Sequence, residues 1–410
     1  MGAVHASFIV VLRAVIVLVV LAPGTACTAE GGERSASADW QSAPVAEVAV
    51  RIGMDEGPEE YLFGDITSVA ADTDGRIYVA DRVGSTIRVY GRDGGFLRQV
   101  GREGQGPGEY QWPADLTFGP DGRLYVRDNT RITVLAAAEA GGIPDSVAAT
   151  WRIPGLSSSS SRRSRVDSAG NYYYPSGAGG PLRYFYLIFP RGEHRGDTVH
   201  VPAFGTLSAT LTAFYRIGAD GRMLDGLSHA PFEPVATWDI TPRGTVVGGD
   251  GSSQTILESG ATADSVGALR GVRVSRRPVP AGERADSARA LQHRIDSLAV
   301  PLAEVQNASA AVRTGSLPDS LPAYRSVHVA IEGDIWVERW PLEGDAGRRL
   351  FDVFASDGTY VGAIVLAAPL VRDPPPFFTS SAVFGVVRDS ATGVERVATV
   401  PVRLDRGSGR

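Results

Sequence analysis

ADTDGRIYVAD (residues 71–81) and GPDGRLYVRD (residues 119–128) are two copies of one unit, with their turn glycines, Gly75 and Gly122, 47 residues apart. Asp74-Gly75 and Asp121-Gly122 are strong tight-turn dipeptides, because glycine reaches positive φ without a Cβ clash. A short strand is predicted before each turn, Ile66–Ala71 and Asp115–Phe118. An apolar strand follows, Ile77–Ala80 and Leu124–Val126, with no polar face, as expected where a sheet is covered on both sides. A third strand, Thr86–Tyr90 or Arg131–Leu135, and a fourth, Phe96–Val100, complete the unit. Four short strands in about 47 residues make a propeller blade. One blade cannot bury both its faces, so several must close into a ring.

Weaker copies stand at 166–174 (VDSAGNYYY), 241–250 (TPRGTVVGGD) and 330–339 (AIEGDIWVER), and a degenerate sixth at 384–400 (FGVVRDSATGVERVATV). The expected fold is therefore an all-β, six-bladed β-propeller. Residues 205–232 fit none of these copies and leave room for a seventh blade. Ring closure is expected where a strand near Val45–Ile52 joins the C-terminal strands around Ala382–Leu404, which removes an exposed sheet edge. Residues 281–306 read as a helical insertion, since Leu291, Ile295, Leu298, Leu302 and Val305 recur at helical spacing and Pro301 should kink or split it. Such a helix packs flat on the propeller; a lid over the channel is the functional alternative.

Residues 80–110 (ADRVGSTIRVYGRDGGFLRQVGREGQGPGEY) with 115–135 (DLTFGPDGRLYVRDNTRITVL) resemble the NHL-type six-bladed propellers of bacterial envelope proteins. The Asp-Gly-x-(Ile/Leu)-Tyr-Val core, Arg131-Ile132 and the Gly-Gln-Gly-Pro-Gly-Glu-Tyr run carry the resemblance. It is strongest over 64–135, moderate over 324–366 and weak elsewhere. It implies a fold and no activity, because propellers host many unrelated functions. NHL-type lyases hold zinc with histidines from different blades, and the blades that match best here have no histidine.

The ends of the chain carry their own signals. An apolar run, Ala14–Ala22, follows a weakly basic leader and precedes the small residues Pro23-Gly24-Thr25-Ala26, the layout of a signal peptide over residues 1–26. The run is short for a membrane span, and Arg13 would be costly at the centre of a longer one. Cys27 is the single cysteine, so no disulfide can form within the chain; its place suits lipoprotein acylation, although Gly24 stands where leucine is usual. Residues 27–44 read as a flexible tether, 45–404 as one propeller domain and 405–410 as a tail.

The 410 residues carry a net charge of −6, against sequence-independent nucleic-acid binding. All 40 basic residues are arginine. That excludes a lysine Schiff base, a Walker-A lysine and a Ser-x-x-Lys acylase. No Gly-x-Ser-x-Gly elbow is present. Gly101–Gly108 lacks the Lys-Ser/Thr and the helix of a phosphate loop and reads as a connection between blades. Asp81 and Asp128 end the apolar strands, where their carboxylates accept N–H bonds in the next turn. The six histidines include His194, His200, His293 and His328 but show no ligand spacing, so no metal site is assigned. Ser157–Ser161 with Arg162, Arg163 and Arg165 reads as a polar loop opening the third blade, with nothing to support a basic partner patch.

These features lead to an exported monomer, periplasmic or anchored at the outer membrane by lipid on Cys27. It acts as a binding or interaction scaffold for a protein or small-molecule ligand, with no cofactor assigned. The alternative is a channel-sited lyase or hydrolase using carboxylates and a divalent cation. Three or more carboxylates or histidines converging at one level of the channel would favour the enzyme.

Overall fold

One hairpin geometry recurs through the chain. In five blades the amide of the turn glycine bonds to the carbonyl three residues before it, and the loop closes one residue later. Gly75 N donates to Asp72 O (3.0 Å) and Asp72 N to Arg76 O (3.1 Å); Gly122, Gly170, Gly244 and Gly333 repeat the pattern. Their φ values are +78°, +76°, +82°, +76° and +104°. Each loop thus has three residues and ends in a left-handed glycine.

The computed structural model describes residues 42–128, 131–139, 141–153, 163–176, 185–189, 197–200, 216–217, 223–224, 231–259, 266–273, 276–296, 317–340 and 347–404. Among them, six sheets of four or more strands form the blades of a β-propeller. The first blade contains Ile66–Ala71, Ile77–Asp81, Thr86–Tyr90 and Phe96–Val100. The second contains Pro113–Phe118, Leu124–Asp128, Arg131–Leu135 and Val147–Arg152. The third contains Arg165–Val166, Tyr172–Ser176, Phe185–Phe189 and Asp197–His200. The fourth contains Thr237–Ile240, Val246–Gly249, Thr255–Ser259 and Val266–Arg273. The fifth contains Ser326–Val329, Ile335–Arg339, Arg349–Phe354 and Tyr360–Leu366. The sixth is composite: Phe377–Phe378, Ala382–Arg388 and Glu395–Pro401 take Val50–Ile52 from the other end of the chain as their outer strand. Val45–Ala46 adds a parallel fifth strand to the fifth blade, so the N-terminal segment ties two blades together.

Within each blade the strands run up and down, which gives the ring two faces. The glycine turns lie on one, the turn face. The other, the entry face, carries the segments leading into each first strand and the turns from second to third strands. The second strands are buried along their whole length in the first, second and fifth blades, as a sheet covered on both sides requires. Aromatic contacts fill the spaces between blades: Tyr78 lies 5.0 Å from Phe118, Tyr125 5.4 Å from Tyr172, and Trp336 5.2 Å from Phe378. Fully burying one such side chain, for example Phe351, contributes roughly 1.5–3 kcal/mol.

Three sequence expectations shift. The unit at 384–400 is the hairpin between the second and third strands of the sixth blade, closed by Asp389 N to Val394 O at 2.9 Å, and not a glycine turn between first and second strands. Residues 205–232 contribute a two-stranded piece, Arg216–Ile217 with Met223–Leu224, between the third and fourth blades. The helix spans Ala281–Asp296 on the entry-face connection into the fifth blade. Leu298, Leu302, Val305 and the Pro301 kink lie outside the described residues, as do the side chains of Leu291 and Ile295. Cys27, the leader and the 405–410 tail also lie outside them.

Candidate functional site

The first strands line the axis of the ring, and their alternate side chains meet the neighbouring blades. Seven residues before the turn glycine stand Ser68, Asp115, Arg163, Thr237 and Ser326 in the first five blades. Three of these positions make the same inter-blade bond, accepting from an amide of the next blade's first strand or the residue entering it. Leu116 N donates to Ser68 Oγ (3.1 Å), Ser164 N to Asp115 Oδ2 (2.6 Å) and Val327 N to Thr237 Oγ1 (2.9 Å). An amide buried at the junction of two sheets needs an acceptor that neither ladder supplies, and the short polar side chain provides it.

Two residues nearer the turn, the pattern repeats with charges. Asp239 accepts from Val329 N at 2.8 Å and forms a bidentate pair with Arg165, whose Nε donates at 2.7 Å. Burial opposes ionisation of Asp239, but Arg165 more than offsets it and holds the carboxyl below its ordinary range. His328 stacks on Phe378 at 4.7 Å, and its Nε2 lies 2.8 Å from Ser326 Oγ. Burial, reinforced by Arg349, pushes His328 down to about 3, so the imidazole is neutral at physiological pH.

Arg163 crosses the axis. From the third blade it donates to Val69 O in the first blade at 2.6 Å, and to Pro375 O at 2.7 Å in the segment entering the sixth. Its Nη1 lies 3.8 Å from Asp115 Oδ1, and the guanidinium sits 5.3 Å from the Phe377 ring. Burial pulls its pKa down to about 10, with Asp115 opposing, so it stays charged. At this level the centre of the ring is occupied by a side chain. Arg163 and Arg165 are thus internal bridges between blades, not residues of the polar loop read from the sequence.

On the entry face, between the fifth and sixth blades, lies a second charged group. Glu338 is 1% exposed and accepts from Ser326 Oγ (2.7 Å), from Arg349 Nε (3.1 Å) and Nη2 (2.7 Å), and from Arg372 Nη2 (2.5 Å). Burial works against ionisation here too, but Arg349 and Arg372 hold the carboxyl far below its ordinary range. Arg325 stands beside them, its guanidinium 4.9 Å from the Trp340 ring.

The residues singled out from the repeats occupy turn and strand-end positions. Asp74 is exposed and pairs with Arg76 at 2.8 Å; Asp121 accepts from Arg123 N at 3.1 Å. Asp81 accepts from Gly64, Asp65 and Val83 amides at 3.1–3.2 Å and pairs with Arg88 at 3.2 Å. Asp128 accepts from Trp112 N at 2.5 Å and pairs with Arg131 at 3.2 Å. Among the described residues no three His, Cys, Asp or Glu groups converge as a metal cluster. His293 is exposed on the helix; the His200 side chain and all of His194 fall outside the described residues. Sequence reading missed Asp115, Asp239, Glu338 and Arg349. The one available signal was positional: polar residues at fixed offsets from each turn glycine.

A family model described as a 6-bladed beta-propeller matches residues 56–136, the first blade and most of the second. No curated protein sequence matches the chain. Virginiamycin B lyase from Staphylococcus aureus is similar in structure at 10% identity and TM-score 0.39, over 86% of this chain and 98% of that one. A duf4221 family member from Bacteroides vulgatus aligns at 9% identity and TM-score 0.43, over 87% and 96%. The calcium-binding protein regucalcin from Agrobacterium tumefaciens aligns at 14% identity and TM-score 0.32, over 88% and 97%.

Proposed function

We propose that this chain is an exported propeller of the NHL type that serves as a binding or interaction scaffold in the bacterial cell envelope. The observation that carries the reading is the state of the axis. Arg163 fills its centre, Asp115 and Asp239 accept inter-blade amides, and His328 is held neutral against Phe378. These groups hold blades together, whereas a general acid or base must be free to exchange a proton with substrate. Export is supported by the apolar run Ala14–Ala22 and the small residues before Cys27.

Metal analysis of protein purified without chelators tests the binding reading. The expected result is no stoichiometric divalent cation; one equivalent of zinc or calcium would favour the lyase or hydrolase alternative. The N-terminal mass of the same preparation tests export. A mature chain starting at or near Cys27 is expected, and a soluble cytoplasmic protein with Met1 to Ala26 intact would refute it.

A further inference from the structure

The arginine cluster on the entry face has more donors than acceptors. Arg325, Arg349 and Arg372 surround one carboxylate, Glu338, and the nearby His328 is neutral. Arg349 is 4% exposed; its Nε and Nη2 are spent on Glu338, while its Nη1 has no hydrogen-bond partner among the described residues. The Arg325 side chain, half-buried, sits over the Trp340 ring and donates no hydrogen bond to any described residue. The indole N–H of that tryptophan is buried and also has no partner among the described residues. Burial first, and then repulsion from Arg372, lowers the Arg325 pKa, with Glu338 only partly opposing them.

We propose that Arg325, Arg349 and Arg372 form a binding site for an oxyanion, the carboxylate or phosphate group of a ligand received on the entry face. The inference rests on the binding reading above and names the ligand's chemistry. Among the described residues, three guanidinium forks against one carboxylate leave an excess of two positive charges. Planar forks match carboxylate and phosphate oxygens in a way a point charge does not. Glu338 fixes Arg349 and Arg372 in place, so less conformational entropy is lost when an anion arrives. Arg372, 47% exposed, stands at the solvent side of the cluster. Arg163 occupies the axis, so a ligand would be held at the mouth rather than within the ring.

The test is calorimetric titration of the full-length purified protein with inorganic phosphate and, separately, with acetate, at constant ionic strength set with sodium chloride. Wild type should bind at least one of the two at one equivalent. Phosphate alone would point to a phosphoryl group on the ligand, and acetate alone to a carboxylate. Arg325→Gln and Arg372→Gln should each weaken binding roughly tenfold or more, the usual loss of a charge-assisted hydrogen bond. Arg92→Gln, on the turn face of the first blade, should leave it unchanged. Arg325 pairs with no described carboxylate, so its variant should keep the wild-type melting temperature without anion, which separates lost binding from lost folding. Binding of neither anion, or equal binding by all the variants, would overturn the site. Such a failure is distinct from failure of the scaffold reading, which would appear as stoichiometric metal in the same preparation.

Discussion

The first and fifth blades share a backbone plan and reverse its charges. In the first, the second strand ends in Asp81, paired at 3.2 Å with Arg88 on the third strand. In the fifth the same strand ends in Arg339, 3.3 Å from Asp352. The registers agree: Arg88 faces Val79 and Asp352 faces Val337, and both valines stand four residues after their turn glycines. The fold therefore needs a neutral pair here, and either order supplies it. The order decides how the chain enters the blade. Asp81 gathers amides from Gly64 and Asp65, whereas Arg339 donates to the Ala323 carbonyl at 2.8 Å, so the entering segment must turn an oxygen inward instead of nitrogens. One residue earlier the first blade has Ala80 and the fifth has Glu338, the carboxylate that organises the arginine cluster.

Substituting Glu338 with alanine would give the fifth blade the residue of the first, and it should have the largest effect. It strands the buried Arg349 and releases Arg372 and Ser326, so a loss of roughly 3–5 kcal/mol is expected in denaturant melts. A silent substitution would mean that the cluster carries no structural load. Asp81→Ala should cost somewhat less, roughly 3 kcal/mol, because Arg88 retains the Leu62 carbonyl at 2.7 Å.

The turn glycines test equivalence rather than difference. Gly75→Val and Gly333→Val should each cost about 1–3 kcal/mol, the strain of a β-branched residue at positive φ. At Gly75 a Cβ would lie 3.7 Å from Arg92, so the cost there is conformational and not steric. Gly122→Val should match them, whereas Gly106→Ala in the connection should cost less, since the nearest atoms its Cβ would meet belong to the Glu109 side chain. Unequal melts for Gly75→Val and Gly333→Val would break the register on which the comparison stands.

Measured per pH unit, the smallest effect is a pH slope. Burial, opposed by Arg339, raises Asp352 from an ordinary 3.8 to about 7. The folded chain then holds that proton more tightly than the unfolded chain does. The contribution of this group to stability is complete below about pH 4 and is lost as pH rises toward 7. The slope should be at most about 1.4 kcal/mol per pH unit, and Asp352→Asn should flatten it. Stability curves of wild type and variant that run parallel from pH 4 to 7 would show that Asp352 titrates normally.

Much of the fold was legible because its signals are local. A turn glycine followed by one polar residue and a short apolar run folds as a hairpin whatever lies far away in the chain, and five of the six copies obey that rule. The sixth failed as a repeat because Phe377–Phe378 and Ala382–Arg388 connect without a turn glycine, so its Gly393 belongs to the next hairpin along. The sites were far less legible. Arg162, Arg163 and Arg165 beside a serine run look like a solvent-exposed loop, and nothing within ten residues of Arg163 reveals the carbonyls of Val69 and Pro375 that bury it.

By itself the sequence determined the blade and its turn chemistry, because strand pairing within a hairpin depends on neighbours in the chain; it left the count at six with room for a seventh. Only the tertiary structure decided which charges meet. Asp115 bonds to Ser164 across 49 residues, and Val69 to Arg163 across 94. The physical reason is that a buried charge needs a partner at bonding distance, and in a ring that distance is set by how blades pack against one another. Offsets from the turn glycines mark the polar positions, but no offset says which of them meet.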